Sequence, residues 1–182
     1  MSEGIKRKNM IITGTSRGIG KMLAEYYIEQ NYNVFGISRS ASSIDMKYYF
    51  HNQVDLENLD EITLFYKEFK KEYKYLDVLI NNAGTLTSMN SLIMPKKSVE
   101  SMININIKAN FFMSREAAKI MMLQKNGRVI NIGSMASILK PKGDSIYSMT
   151  KAAINNLSQV LSKEYSEYGI TNNTIDITYI ET

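Results

Sequence analysis

An α/β fold with a doubly wound parallel sheet is what this sequence predicts, and three observations carry the expectation. Short apolar runs alternate with amphipathic segments along most of the 182 residues, the pattern of βαβ units. A glycine cluster follows the first apolar run, where a strand must turn tightly into a helix. No repeat, low-complexity tract or Pro/Gly/Ser-rich linker interrupts the alternation, and Pro95 and Pro141 both fall in loops.

Taken in order, Met10-Ile11-Ile12 reads as the first strand. Ile19, Met22, Leu23 and Tyr26 then line one face of a helix that Asn31 ends. Asn33 to Ser38 is a second strand and Tyr48 to Val54 a third. Leu59, Ile62, Phe65 and Phe69 recur at spacings of three and four, a helical stripe. Leu76 to Ile80 is a fourth strand, and a long helix covers Val99 to Gln124. Arg128 to Ile132 is a fifth strand, Ser145 to Tyr168 a second long helix, and Asn173 to Ile180 a weaker sixth strand.

Composition narrows the chemistry. With 44% hydrophobic and 22% charged residues the chain is globular, and one domain spanning 1–182 is the expectation. The net charge of +4, spread without a basic block, suits an anionic small ligand better than nucleic acid. The absence of cysteine removes disulfides, zinc–thiolate sites and thiol nucleophiles, and the single histidine, His51, cannot build a His-based metal site or a Ser/His/Asp triad. No metal is expected. No apolar run reaches the ~18 residues of a membrane span, and Met1 to Asn9 lacks the apolar stretch of a signal peptide. A cytoplasmic protein, without nucleic-acid or membrane partners, is the expectation.

Two motifs carry chemistry. In Thr13-Gly14-Thr15-Ser16-Arg17-Gly18-Ile19-Gly20, residues without a Cβ allow the turn and the approach of a phosphate. The helix N-terminus beyond then offers free N–H groups and a positive dipole end. The spacing is not G-x-G-x-x-G, and taken alone the turn could equally be structural. In Tyr147-Ser148-Met149-Thr150-Lys151, residues four apart share a helical face. An ammonium ~4 Å from a phenolate contributes about 4 kcal/mol at an effective dielectric of 20. A phenol that ordinarily ionises near ~10 then comes within reach of general acid/base work. Alone, such a pair is more often a surface pair.

The order is more telling than any one motif. Glycine turn, Asn81-Asn82-Ala83-Gly84 after the fourth strand, Ser134 after the fifth, and Tyr147-x-x-x-Lys151 on the next helix follow one another along the chain. In this order the sequence resembles the short-chain dehydrogenase/reductase family, in its single-domain branch and most closely the ketoacyl-reductase-like members, from Lys8 to Thr182. The resemblance implies a Rossmann-type fold and hydride transfer between a nicotinamide dinucleotide and a carbonyl or alcohol substrate. It implies that Gly14, Ser16, Arg17, Gly18, Ile19 and Gly20 form the cofactor turn. Asp55 and Leu56 would meet the adenine, and Asn82, Ala83 and Gly84 would run along the adenosine ribose. Ser134, thirteen positions before Tyr147, would hydrogen-bond the substrate oxygen as charge develops. Tyr147 would pass the proton, Lys151 would bind the nicotinamide ribose, and Asn106 (rather than Asn104) would tie Lys151 to a water relay.

Cofactor choice rests on the end of the second strand. NAD-binding folds generally place a carboxylate there for the ribose 2′-hydroxyl. Here Ser38 is followed by Arg39 and Ser40, and a guanidinium suits a 2′-phosphate. With Arg17 nearby, NADP(H) is expected over NAD(H).

The resemblance departs at the end. Where relatives carry a Pro-Gly turn, the sequence has Ile177-Thr178, and Ile180 and Thr182 would contact the carboxamide. The lid, further helix and last strand that relatives continue into are absent, which leaves a second reading open: a weak or inactive dinucleotide-binding or partner-binding protein. A sugar-nucleotide epimerase or dehydratase shares Tyr-x-x-x-Lys but differs in glycine spacing. Both long helices carry more apolar surface than one sheet face needs, so a homodimer or homotetramer is expected.

Overall fold

A computed structural model describes residues 7–178. Within them lie β1 (Lys8–Thr13), β2 (Tyr32–Ser38), β3 (Tyr49–Gln53), β4 (Val78–Asn81), β5 (Gly127–Ile132) and β6 (Ile170–Ile175). All pair in parallel in one sheet of order β3-β2-β1-β4-β5-β6. The order reverses between β1 and β4, the place where open α/β sheets leave a crevice at their C-terminal ends. The doubly wound Rossmann-type expectation holds.

Strand alternation sorts the core into two layers. Ile11, Phe35, Ile37, Leu79 and Val129 face α2 (Leu59–Glu72) and α4 (Asn110–Gln124), meeting Ile62, Phe65, Phe69, Met113, Ala117 and Met121. Met10, Ile12, Val34, Val78 and Ile80 face the other way onto Ala24 and Ile28 of α1 (Gly18–Glu29). The long helix α6 (Ser145–Ser166) packs along β6, with the short α5 (Ala136–Leu139) against it. No helix among the described residues is long and apolar enough to cross a membrane.

Four departures from the expected elements have identifiable causes. The fourth strand begins at Val78 and not Leu76, because the Gln124 amide takes both backbone groups of Leu76: Leu76 N–H donates to its Oε1 at 3.1 Å, and its Nε2 donates to the Leu76 carbonyl at 2.7 Å. The helix expected from Val99 starts after Pro95, as α3 (Lys96–Ile103), and passes through a π-helical segment at Asn104–Ala109 before α4. The sixth strand begins three residues early, at Ile170, because buried Asn172 accepts from Asn131 Nδ2 at 2.8 Å and so reads as polar while facing inward. Finally, α6 ends at Ser166, two residues short of the expected Tyr168, because Tyr168 and Gly169 N–H bond three residues back, to the Tyr165 and Ser166 carbonyls, and wind the chain into Gly169 at φ +69°. Strand β6 itself ends at Ile175, short of the expected Ile180. Asn31 does close the first helix region, at φ +67°, the left-handed conformation asparagine tolerates.

Candidate active site

The turn after β1 is built around two glycines. Gly14 sits at φ +76°, and a Cβ there would lie 2.9 Å from Asn82 Nδ2 and 3.0 Å from Ala83 Cα. A Cβ on Gly20 would collide with the Gly14 carbonyl and the Asn82 amide, so the first turn of α1 lies directly on the strand end. Arg17 occupies the N-cap of α1 with extended backbone and no side-chain cap, and no acidic residue stands in the first turn. The N–H groups there therefore lack a side-chain acceptor and suit an anion.

Asn82 is the brace for this turn. Its Nδ2 donates to the Thr13 carbonyl at 2.9 Å and the Gly14 carbonyl at 3.4 Å. Thr13 Oγ1 in return accepts from the backbone N–H of Asn82 at 3.0 Å and of Ala83 at 2.9 Å. The strand ends β1 and β4 are thereby locked at the reversal point. Thr13 was missed in the sequence, although a hydroxyl closing the otherwise apolar run Met10-Ile11-Ile12 is a visible signal.

A cleft of about 1090 Å³ runs along the C-terminal ends of the strands. At one end it is lined by Ser16, Arg17, Gly18, Ile19, Ser38, Arg39, Asp55 and Leu56, and at its centre by Gly14, Asn82, Ala83 and Gly84. Ser38 is buried, its Oγ donating to the Ser40 carbonyl at 2.8 Å. Arg39 is exposed, with Nη1 3.9 Å from Glu57 Oε1, a pair that solvent leaves weak. Asp55 Oδ1 accepts from Glu57 N–H at 3.0 Å, an Asx turn that fixes the loop after β3.

Ser134, Tyr147, Ile177 and Thr178 line the other end of the same cleft. Ser134 Oγ accepts from Ala136 N–H at 3.1 Å, which leaves its O–H to donate. Lys151 lies one turn beyond Tyr147, its Nζ 5.7 Å from the Tyr147 ring centroid. It is only 6% exposed, and its ammonium donates to the Ile132 carbonyl at 2.7 Å. Burial pulls Lys151 down to about 8, against the opposing pull of the Asp176 carboxylate.

Asn106, in the π-helical segment, is buried against the site. Its Oδ1 accepts from Thr85 N–H at 2.9 Å, and its Nδ2 donates to the Thr85 carbonyl at 2.9 Å and Thr150 Oγ1 at 3.0 Å. A Cβ on Gly84 would sit 3.4 Å from Asn106 Oδ1 and 3.7 Å from Lys151 Nζ, so Gly84 marks where those side chains converge. π-helical turns concentrate at functional sites. The structure thus brings the sequence-predicted residues onto one cleft or its back wall, except Ile180 and Thr182, which lie outside the described residues. Gly20 underlies the turn and does not line the cleft. Besides Thr13, the sequence alone does not point to Thr150, which holds Asn106, or to Asp176, and no local pattern flags either.

The chain is similar in sequence and fold to known proteins. The family model described as short chain dehydrogenase matches residues 8–182. A 3-oxoacyl-[acyl-carrier-protein] reductase of Buchnera aphidicola is 32% identical over 185 residues, covering 98% of this chain and 75% of that protein. An NAD-dependent glycerol dehydrogenase of Listeria innocua is 29% identical, covering 98% and 72%. Among solved structures, ElxO with NADP bound superposes at TM-score 0.91 with 27% identity, covering 96% of this chain and 75% of that one. 4-Hydroxyisoleucine dehydrogenase complexed with NADH superposes at 0.88 with 26% identity, covering 93% and 74%. The chain belongs to the short-chain dehydrogenase family of oxidoreductases, among the members that resemble the ketoacyl reductases.

Proposed function

We propose that the protein is an NADP(H)-linked oxidoreductase of a small carbonyl or alcohol substrate, with Tyr147 as the general acid/base. The observation that carries the reading is that Ser134 and Tyr147 share one cleft with the glycine turn, with Lys151 buried one turn behind the tyrosine. When bound, the nicotinamide supplies or accepts the hydride. The uncapped start of α1 and the Gly14–Gly20 turn fit a pyrophosphate. Asp55 and Leu56 would hold the adenine, and Asn82, Ala83 and Gly84 the adjoining ribose.

Ser134 donates its O–H to the substrate oxygen and orients it toward Tyr147. Tyr147 delivers the proton to that oxygen in reduction and takes it in oxidation. Lys151 places positive charge behind the phenol and would hold the nicotinamide ribose. Asn106, by gripping Thr85 and Thr150, fixes the wall that Lys151 rests against.

NADP(H) is preferred here because Ser38-Arg39 stands where a carboxylate would otherwise repel a 2′-phosphate, with Arg17 across the cleft end. Solved relatives bear names with NADP and with NADH, so the preference rests on these residues. Titration of the 182-residue chain with NADPH and NADH tests it. NADPH binds more tightly, and Arg39→Asp reverses or abolishes the difference. Equal affinities in both chains would end the argument for NADP(H). Tyr147→Phe keeps NADPH affinity and loses turnover by at least about 100-fold. Binding without turnover in the unmodified chain selects a non-catalytic dinucleotide-binding protein instead. A homodimer through α4 and α6, which expose Leu123 and Val160, completes the proposal, and a monomer by sedimentation would contradict it.

A further inference from the structure

Asp176 follows the last residue of β6, and its carboxylate is engaged on two sides. Across residues 132–135 the backbone is held group by group. The Ile132 carbonyl accepts from Lys151 Nζ at 2.7 Å, and Gly133 N–H donates to the Ile175 carbonyl at 2.9 Å. Ser134 N–H donates to Asp176 Oδ1 at 2.8 Å, and Met135 N–H donates to the Ile177 carbonyl at 2.9 Å. Three of the four partners belong to the chain at residues 175–177, and Asp176 is the one that acts through its side chain.

The other carboxylate oxygen, Oδ2, accepts from Asn155 Nδ2 at 3.0 Å, and the same amide lies 3.3 Å from Ser137 Oγ. Ser137 in turn donates to the Ser134 carbonyl at 2.8 Å. Tyr147, Lys151 and Asn155 are spaced four apart on α6 and share a face. One carboxylate therefore joins the loop of Ser134 to the helix of Tyr147 and Lys151. Gly133 leaves room for it, because a Cβ there would run into Asp176 Oδ1.

We propose that Asp176 is a positioning residue for the reaction: its carboxylate locks the Ser134 loop to the Lys151 helix and sets negative charge behind the Lys151 ammonium. The proposal rests on the oxidoreductase reading above. Around Lys151, α6 contributes Tyr147, the π-helical segment contributes neutral Asn106, the turn after β4 contributes Gly84, and β5 contributes the Ile132 carbonyl. The end of β6 contributes Asp176, whose charge opposes the effect of burial on Lys151. The other carboxylates on the cleft are Asp144, at the mouth before α6, and Asp55, at the far end after β3.

Asp176→Asn keeps the shape and an oxygen for Ser134 N–H but removes the charge and the acceptor for Asn155 Nδ2, whereas Asp176→Ala removes all of these. In cofactor-free protein, the titration of Lys151 is followed by NMR of labelled lysine side chains, assigned with Lys151→Arg. Asp176→Asn moves it down by roughly half to one pH unit. The alkaline limb of kcat moves down by the same amount, while KM for NADPH stays within about twofold. Asp176→Ala lowers kcat by up to about a further tenfold, the worth of one neutral hydrogen bond. Coincident Lys151 titrations in the Asp176→Asn variant and the unmodified protein overturn the proposal. So does wild-type turnover in the alanine variant, or a parallel loss of thermal stability and cofactor affinity with an unmoved pH profile. Absence of turnover in the unmodified chain would sink the oxidoreductase reading alone, since the lysine titration still judges Asp176.

Discussion

Replacing Lys151 with methionine tests the burial argument directly. The ordinary lysine value is 10.5, and burial brings Lys151 to about 8 in the folded chain. Below pH 8 the lysine is charged in both folded and unfolded states, and the folded state bears the full cost of a buried ammonium. Between pH 8 and 10.5 the folded state has released the proton and the unfolded state has not. Stability therefore rises with pH, by up to about 1.4 kcal/mol per unit, and the whole shift amounts to about 3 kcal/mol. Methionine has no proton to release. At neutral pH it also forfeits the charge-assisted bond to the Ile132 carbonyl, worth about 1.5–3 kcal/mol. The contrast lies in the slope. Urea unfolding of both cofactor-free chains at pH 7, 8, 9 and 10 shows the lysine chain gaining about 2–3 kcal/mol relative to Lys151→Met. Tyr66 and Tyr165, both raised by burial, the second to about 12, titrate alike in the two chains and cancel. A stability difference that stays flat from pH 7 to 10 would refute the reasoning.

Thr13→Val removes the acceptor shared by Asn82 and Ala83 N–H. It costs about 2–3 kcal/mol in urea unfolding and weakens NADPH binding, and a change under about 0.5 kcal/mol means water replaces the hydroxyl. Gly20→Ala forces a Cβ into the Gly14 carbonyl, so calorimetric titration finds NADPH affinity reduced at least about tenfold; unchanged affinity refutes the close packing of α1 on the turn. Asn131→Ala breaks a chain in which Asn131 accepts from Asn81 and donates to Ser158 and Asn172. Its expected loss is about 2–4 kcal/mol, measured by thermal or urea unfolding.

Periodicity made the layers legible. Ile11 and Leu79 on one face and Met10 and Ile80 on the other follow from strand alternation alone. The glycine turn, Ser134, Tyr147 and Lys151 were legible because their types and order are unusual together. Elements that satisfy backbone groups through distant polar side chains were not. Leu76 reads as strand, yet Gln124, 48 residues away, takes its hydrogen bonds. Asn172 reads as exposed, yet Asn131 draws it inward. Asp176 belongs to the same class, since its partners Ser134 and Asn155 lie 42 and 21 residues upstream. Nothing local announces a long-range polar contact, because its two halves are ordinary residues until the fold brings them together.

The two helices α1 and α2 are finished in opposite ways. Helix α2 begins at Asn58, whose side chain accepts from Asp60 N–H, with Asp60 and Glu61 in its first turn and Lys70 and Lys71 in its last. Each of these choices complements the helix dipole. Helix α1, on the opposite face of the same sheet, has no side-chain cap, no acid in its first turn and no base in its last. A sequence able to finish α2 so fully leaves the start of α1 bare at the one end where strand order reverses. The buried Lys151 and the π-helical turn of Asn106 break ordinary rules on the same rim. Departures that cost stability and cluster on one cleft are what a site looks like when folding alone is not being optimised. Filling the gap with an N-cap, as in Arg17→Asp, should therefore leave the folded chain at least as stable while driving out the dinucleotide. If that variant binds NADPH as tightly as the unmodified chain, the helix start is not the anion seat.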